Sequence, residues 1–214
     1  GGLYSSTATI SVLARKSRKA SEQEATDYVA AMLLAVSMMF LRFMILILIF
    51  SREIFLSIYP YLLTMAVVAA IVAWFIHSRQ KRPEDQPAET EEDDSSNPLE
   101  FKVALIFAVL FVIFTFLTHY TLVYAGTGGL NLLSFVSGFS DITPFILNLL
   151  QNTGSVAALI ITACSMQAII SNIMVNMFYA LFFAGKGSKL RPWILGGFGV
   201  VIACNLVLLL FFYI

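Results

Sequence analysis

The chain has 214 residues, of which 59% are hydrophobic and 12% are charged, and its 13 basic and 13 acidic side chains give a formal net charge of zero. Soluble domains carry about 25% charged residues, so this composition indicates an integral membrane protein. Zero net charge also argues against a nucleic-acid-binding domain, because such domains depend on a basic surface.

The chain begins with a segment, 1–15, that is too short and too polar at its start to cross a bilayer easily. It reads GGLYSSTATISVLAR. Because it starts at Gly rather than Met and no signal peptide precedes it, we expect the chain to be part of a longer protein. Ser5, Ser6 or Thr7 can cap a helix here, and the N–H groups at the start of such a helix favour an anion or a substrate carboxylate. Capping alone also explains these hydroxyls, so both roles stay open.

Five apolar segments are long enough to span a membrane. A bilayer core about 30 Å thick takes roughly 20 apolar residues in a helix. The segments are 29–50, 54–76, 99–124, 154–184 and 192–213. The predicted fold class is therefore an all-α, polytopic transmembrane helical bundle, in which the tight polar turn 51–53 makes the first two spans a hairpin.

A hydrophilic segment, 77–98, separates the second and third spans. We expect an acidic, disordered linker, because it contains almost no apolar residue. Its acidic run, 91–94, has two interpretations: a solvated loop that separates two halves of the protein, or a tail that binds a partner or collects cations.

A second short segment, 137–151, repeats the pattern of the first and reads SGFSDITPFILNLLQ. Thr143 is predicted as a helix N-cap with Pro144 in the first turn. Asp141 is the only acidic residue of the second half of the chain, and its carboxylate has three possible roles: it binds a cation, carries a proton, or only caps this helix. The preceding GTGG at 126–129 is interpreted as a turn.

The two halves of the chain resemble each other. Aligned without gaps, Gly2 falls on Gly138 and Thr7 on Thr143. With a shift of nine residues, VAAMLLAVSMM of the first span falls on VAALIITACSM of the fourth. Because a Gly-Ser-Thr segment followed by two spans occurs in both halves, we predict an internal repeat.

Charge predicts the topology. The three basic clusters lie on one side of the membrane only if the second short segment is re-entrant, so that it enters and leaves on the same side. The positive-inside bias favours this arrangement and makes the side of the clusters cytoplasmic. The repeat units, 1–76 and 99–214, then have three spans each and opposite orientations, with the first helix of unit one upstream of the chain. The clusters contain Arg15, Lys16, Arg18 and Lys19; Arg79, Lys81, Arg82 and Lys102; and Lys186, Lys189 and Arg191.

Polar side chains within the apolar segments mark a candidate site. Arg42, inside the first span, must pair, face a cavity or snorkel, and Asp141 is its natural candidate partner. The fourth span carries a polar stripe that either binds a solute or forms hydrogen bonds between helices. The predicted substrate- or ion-binding residues are Ser5, Ser6, Thr7, Ser140, Asp141, Thr143, Gln167 and Asn172.

The sequence contains no catalytic or metal-binding pattern. It lacks a metal-spaced cluster of His, Cys and carboxylates, a nucleophile with a base, and a Walker-type phosphate loop. Cys164 and Cys204 lie in apolar runs, where a thiol behaves as a small hydrophobe. We therefore expect no enzymatic activity, no cofactor, no metal and no disulfide.

Three stretches, GLYSSTAT, NPLEFKVALIFAVLF and GGLNLLSFVSGFSDIT, together resemble the uncharacterised integral-membrane domain found C-terminal to MgtC/SapB-type domains in bacterial membrane proteins. The resemblance implies a multi-pass protein of the bacterial inner membrane with an MgtC/SapB-like helical domain upstream. MgtC-like proteins are associated with magnesium limitation and inhibition of ATP synthase, but the resemblance implies no activity for this C-terminal domain. A second acidic residue is expected after Asp141, and Ile142 and Thr143 stand there instead, which argues against a carboxylate-pair cation site.

These observations predict a transporter-like inverted-repeat domain that binds or moves a small ion or solute where the two Gly-Ser-Thr motifs meet against the fourth span. The alternative is a non-transporting sensor or regulatory module that acts through protein partners. The expected partners are the lipid bilayer, a small ion or solute, the upstream MgtC/SapB-like domain and, in a homo-oligomer, further copies of the chain.

Overall fold

The computed structural model describes residues 6–18, 22–79, 98–152, 156–185, 188 and 190–213. Every secondary-structure element in these ranges is an α-helix, as expected for the predicted fold class. The predicted linker lies almost wholly in the range 80–97, outside the described residues, and so does Ser5. The helices are α1 (Ser6–Ser17), α2 (Glu22–Phe50), α3 (Arg52–Ser78), α4 (Pro98–Tyr124), α5 (Gly126–Ser137), α6 (Thr143–Gln151), α7 (Ala158–Ala184) and α8 (Arg191–Tyr213).

Four apolar stretches are long enough to cross a membrane: Thr26–Phe50, Arg52–Ser78, Ala158–Ala184 and Arg191–Phe211. They correspond to four of the five predicted spans, and they identify a multi-pass membrane protein. The remaining predicted span coincides with α4, a helix of 27 residues whose described apolar part is Ala108–Tyr124. Large apolar side chains on the outside of the bundle are exposed, as contact with lipid requires.

The α2–α3 hairpin has the predicted turn between the first two spans, but only Ser51 of the predicted range 51–53 lies outside the helices. Ser51 lies between the helices in an extended conformation, and its hydroxyl oxygen accepts a hydrogen bond from the Ile54 amide at 3.4 Å. This N-cap satisfies one of the amides at the start of α3 that have no partner within the helix.

Helix α5 was not predicted, and GTGG, interpreted as a turn, is instead the start of this helix. Gly126 has a φ of +58°, a backbone conformation that glycine adopts readily. All four residues of GTGG belong to α5, and α5 packs back against α4. Gly-rich sequence has a poor helix propensity, which is why the local sequence indicated no helix here.

Helices α5 and α6 form a hairpin that enters and leaves at the same end of the bundle. Helix α5 runs parallel to α7, because Asn131 lies beside Cys164 and, further along both helices, Gly138 lies beside Asn172. Helix α6 starts where α5 ends, and its own end lies close to the start of α7, because the Val156 amide donates to the Asn152 carbonyl at 3.0 Å. It must therefore run back toward the end at which α5 began.

Helix α1 runs from the middle of the bundle to the opposite end. Its C-terminal half lies along the last turns of α7: Arg15 is 4.3 Å from the centroid of the Phe183 ring, and Arg18 is next to Gly185. Its first residue, Ser6, lines a cavity together with Asn172 near the middle of α7. The short helices α1 and α6 therefore point in opposite directions away from the same central region.

The described arginines of the three predicted basic clusters lie at one end of the bundle, which we call the basic end. The start of α2 meets the end of α3 there, with 2.7 Å between Asp27 Oδ1 and His77 Nδ1. Near the same end Gly197 of α8 packs against Ile76. The arginines are Arg15, Arg18, Arg79 and Arg191.

Candidate functional site: a cavity between two half-helices

A cavity of about 470 Å³ lies between the first turn of α1 and the connection that joins α5 to α6. Helix α2 and the middle of α7 complete its wall. The described residues of the first Gly-Ser-Thr motif, Ser6 and Thr7, therefore share one cavity with the second motif. Five of the predicted binding residues line it: Ser6, Thr7, Ser140, Asp141 and Asn172.

Arg42 reaches this cavity from α2 and connects it to the α5–α6 hairpin. Its Nη2 atom donates a hydrogen bond to Thr143 Oγ1 at 2.5 Å and lies 3.7 Å from Asp141 Oδ1. The side chains of Arg42 and Asp141 are 24% and 43% exposed, so the ion pair is open to the cavity. The pairing of Arg42 with Asp141 agrees with the sequence prediction.

Thr143, predicted as the N-cap of α6, is instead the first residue of that helix, and the N-cap residue is Ile142. Asp141, one residue earlier, binds the first amide of α6. Its Oδ1 atom accepts hydrogen bonds from the Thr143 amide at 2.9 Å and from the Thr143 hydroxyl at 2.7 Å. The Thr143 hydroxyl thus accepts from Arg42 and donates to Asp141, so one hydroxyl bridges the two charged groups. Capping and a charge-carrying role are compatible, because the cap fixes the position of a carboxylate that still faces the cavity.

The polar stripe of α7 holds the end of α5. Ser171 Oγ donates to the Phe135 carbonyl at 2.6 Å, and Asn172 Nδ2 donates to the carbonyls of Gly138 at 3.1 Å and Ser140 at 3.4 Å. Asn172 Oδ1 in turn accepts from Asn176 at 3.1 Å. These bonds satisfy carbonyls that a helix end leaves without an intrahelical partner. Asn172 therefore positions the cavity wall that it also lines.

Gly138 permits this close contact between α5 and α7. A Cβ atom at this position would lie 2.3 Å from Ser171 Oγ and 2.7 Å from the backbone nitrogen of Asn172. Only a residue without a side chain fits against the α7 backbone here.

Gln167 lies apart from the cavity residues, unlike the other predicted side chains of the described part of the chain. It is absent from the cavity wall, and its Oε1 atom is buried without a hydrogen-bond partner among the described residues. Thr143 is in the cavity region through its bonds to Arg42 and Asp141.

Several wall residues were not identified from the sequence, among them Ser11, Tyr179 and Phe183. A signal was present for two of them. Asn172, Val175, Tyr179 and Phe183 recur at spacings of three or four residues, so they form one face of α7. The face that begins at Asn172 continues as the cavity wall toward the basic end.

The described part of the chain contains no group of three or more His, Cys, Asp and Glu side chains that could hold a metal ion. The charged side chains that line the cavity within the described ranges are Arg42 and Asp141. The site therefore consists of one ion pair, several hydroxyl groups and the ends of two short helices.

Comparison with known proteins gives a family. Residues 1–184 match a domain of unknown function, DUF4010. The chain belongs to the DUF4010 family. The match ends at the last residue of α7, so the whole cavity of this DUF4010 chain lies within it. Membership agrees with the expected uncharacterised domain, whereas the upstream MgtC/SapB-like domain stays a prediction.

A similar protein is known from Aquifex aeolicus (strain VF5), an "Uncharacterized protein" that is 24% identical over 214 residues, which are 98% of this chain and 90% of the relative. No solved structure matches the chain.

Proposed function

We propose that this DUF4010 chain is a non-enzymatic transport domain in which a small solute or ion binds between α1 and the α5–α6 hairpin. The cavity of about 470 Å³ carries this proposal. Transporters commonly place their sites where broken or half-length helices meet near the middle of the membrane. Irregular backbone is tolerated at that depth only where protein or a water-filled cavity satisfies it, and α7 supplies such partners here.

The directions of the helices support an inverted repeat. In chain order α1, α2 and α3 correspond to α6, α7 and α8, and each helix of the first unit runs opposite to its counterpart. Cross-packing is reciprocal: α1 packs on α7 and α6 on α2, while α3 packs on α7 and α8 on α2. Two units related by a two-fold axis in the membrane plane exchange contacts in this way.

The orientation in the membrane follows from the basic end. We place this end in the cytoplasm and the protein in the bacterial inner membrane, because arginines and lysines are retained on the cytoplasmic side. Helix α1 then approaches the cavity from the cytoplasm and the α5–α6 hairpin from the outer face. The proposed assembly includes the MgtC/SapB-like domain upstream of the chain and further copies of the chain.

Uptake into proteoliposomes tests the proposal. The full chain, reconstituted in lipid vesicles, is offered labelled Na⁺, Mg²⁺, nitrate or L-lactate. We expect uptake of at least one probe, and its loss in Ser140→Trp, because the indole fills the cavity that Ser140 lines. Ser57→Trp is the matched control, since Ser57 is exposed on α3 away from the cavity.

Two results would contradict this proposal. One is the absence of uptake of all four probes by a correctly folded wild-type chain, which would favour the sensor or regulatory module. The other is equal uptake by Ser140→Trp and the wild type, which would place the route outside the cavity.

A further inference from the structure

Apart from Asp141, the charges that the described residues place at the cavity are mainly positive. Arg42 supplies a full positive charge, and the N-terminal ends of α1 and α6, at Ser6 and Thr143, add the partial positive charge of two helix dipoles. The negative end of α5 also points to this region, but side chains of α7 already donate to its carbonyls. With the charge of Asp141 neutralised, this arrangement favours an anion over a cation.

A single carboxylate balances this charge. Asp141 lies 3.7 Å from Arg42, so the empty site holds one positive and one negative side chain. An anion that bound to Arg42 would bring a second negative charge next to Asp141. Uncompensated charge is costly inside a membrane protein, so anion binding favours the addition of a proton to Asp141.

The other groups that face Asp141 do not replace it as the proton acceptor. Helix α2 contributes Arg42, which stays protonated, and α7 contributes the phenol of Tyr179 and the amide of Asn172. The described wall residues of α1 that carry polar side chains are Ser6, Thr7 and Ser11, whose hydroxyls do not ionise in the physiological range. Asp141 is thus the group of the described wall whose negative charge an added proton would neutralise.

The following inference rests on the transport function proposed above. We propose that the cavity binds a small planar monoanion, a carboxylate or a nitrate-like oxyanion, and that Asp141 takes up one proton for each anion. The proton from water forms an O–H bond on the Asp141 carboxylate, and the oxygens of the anion then accept hydrogen bonds from the Arg42 guanidinium. On the other side of the membrane the anion and the proton both leave the cavity, and the proton returns to water. Arg42, protonated Asp141 and one bound anion have the same total charge as the empty site, so the step is electroneutral.

The test measures anion uptake and internal pH in the same proteoliposomes. Vesicles that contain the full chain and a pH-sensitive dye are given labelled nitrate or labelled L-lactate, which distinguishes an inorganic from an organic source of the same chemistry. Nitrate is informative because its acid is too strong to carry protons across lipid unaided. We expect acidification by one proton for each anion taken up, and no change when a potassium gradient with valinomycin sets the membrane voltage.

Three variants separate the roles. Asp141→Asn keeps an oxygen for the Thr143 amide, so the α6 cap remains; it should still exchange labelled for unlabelled anion but no longer acidify the vesicle. Arg42→Gln should lower anion uptake by about 10- to 100-fold, the loss expected for one charge-assisted hydrogen bond. Arg52→Gln, at the far end of the bundle, should behave as the wild type. Size-exclusion chromatography confirms that each variant is folded.

The outcomes distinguish this inference from the transport function. Uptake of Na⁺ with no uptake of either anion would overturn the anion site but leave transport intact. Anion uptake by the wild type without acidification, or with dependence on voltage, would overturn the coupling. No uptake of anions or cations would contradict both. The wild-type measurement tests the coupling of anion and proton even if Arg42→Gln fails to fold. In that case Arg42→Lys, which keeps the positive charge, tests the contact between residue 42 and the anion.

Discussion

Gly138→Ala is predicted to separate the α5–α6 hairpin from α7. The new methyl group would lie 2.3 Å from Ser171 Oγ, 2.4 Å from Ser171 Cβ and 2.7 Å from the Asn172 backbone nitrogen. The Ser171 side chain can rotate away. The backbone of α7 cannot move without disturbing its packing, because α7 is the most buried of the four candidate spans. The hairpin must therefore shift.

The expected cost combines overpacking with lost hydrogen bonds. Overpacking of a tight contact costs about 1–3 kcal/mol. A shift of the hairpin also weakens the bonds from Ser171 to the Phe135 carbonyl and from Asn172 to the Gly138 carbonyl, each worth ~0.6 kcal/mol between membrane helices. The total is about 2–4 kcal/mol, which lowers the melting temperature of a chain of this size by about 5–15 °C.

Thermal unfolding of the purified chain in detergent measures this loss. Gly128→Ala is the matched control, because a Cβ atom there meets nothing within 4 Å and alanine favours the helix by about 1 kcal/mol over glycine. The double variant Gly138→Ala, Ser171→Gly should recover part of the loss, since two of the three close atoms are then absent. A melting temperature for Gly138→Ala equal to that of Gly128→Ala would refute the close contact between the hairpin and α7.

Two further predictions concern the bundle around the site. Tyr61→Phe should destabilise the fold by about 0.5–2 kcal/mol in thermal unfolding in detergent, because the Tyr61 hydroxyl donates to Asn205 Oδ1 in a buried contact between α3 and α8. Combining Tyr61→Phe with Asn205→Leu should restore part of the stability. A further loss of stability in the double variant would argue against this hydrogen bond. In a chain whose natural cysteines are replaced by alanine, an impermeant maleimide should label Arg191→Cys from one side of the membrane and Ala125→Cys from the other. Labelling of both from a common face would contradict the helix directions.

The spans were predictable because hydropathy is a property of each local stretch. Runs such as α2 and α8 must be helical in a bilayer, whatever they pack against, since no water is available for their backbone groups. Ser51 could be assigned as a turn for the same local reason, because three polar residues interrupt two apolar runs. Such features require no knowledge of tertiary contacts.

Helix α5 and the role of Asn172 were not predictable in this way. The sequence LNLLSFVS of α5 is too short for a span, and the glycines before it favour a turn. Carbonyls at its C-terminal end accept hydrogen bonds from Ser171 and Asn172, and the local sequence does not show these tertiary contacts. A polar stripe on one helix shows that polar partners exist, but it does not show whether they belong to a solute or to a neighbouring helix.

The pairing of Arg42 with Asp141 could be predicted from the sequence in part. Each is an isolated charge within or beside an apolar segment, so the high cost of an unpaired charge in a membrane made them candidate partners. The bridging hydroxyl of Thr143 and the cavity beside it depend on how α2 and α6 approach each other, and local sequence does not encode that approach.

The most direct test of the central claim blocks the cavity chemically at one atom. In the chain without natural cysteines, Ser140→Cys introduces a thiol into the cavity wall, and solute uptake into proteoliposomes is measured before and after reaction with a small charged methanethiosulfonate reagent. The account predicts that uptake stops when Cys modification is complete by mass spectrometry, while the same treatment of Ser57→Cys leaves uptake unchanged. Full uptake by the completely modified Ser140→Cys chain would contradict a solute site between α1 and the α5–α6 hairpin.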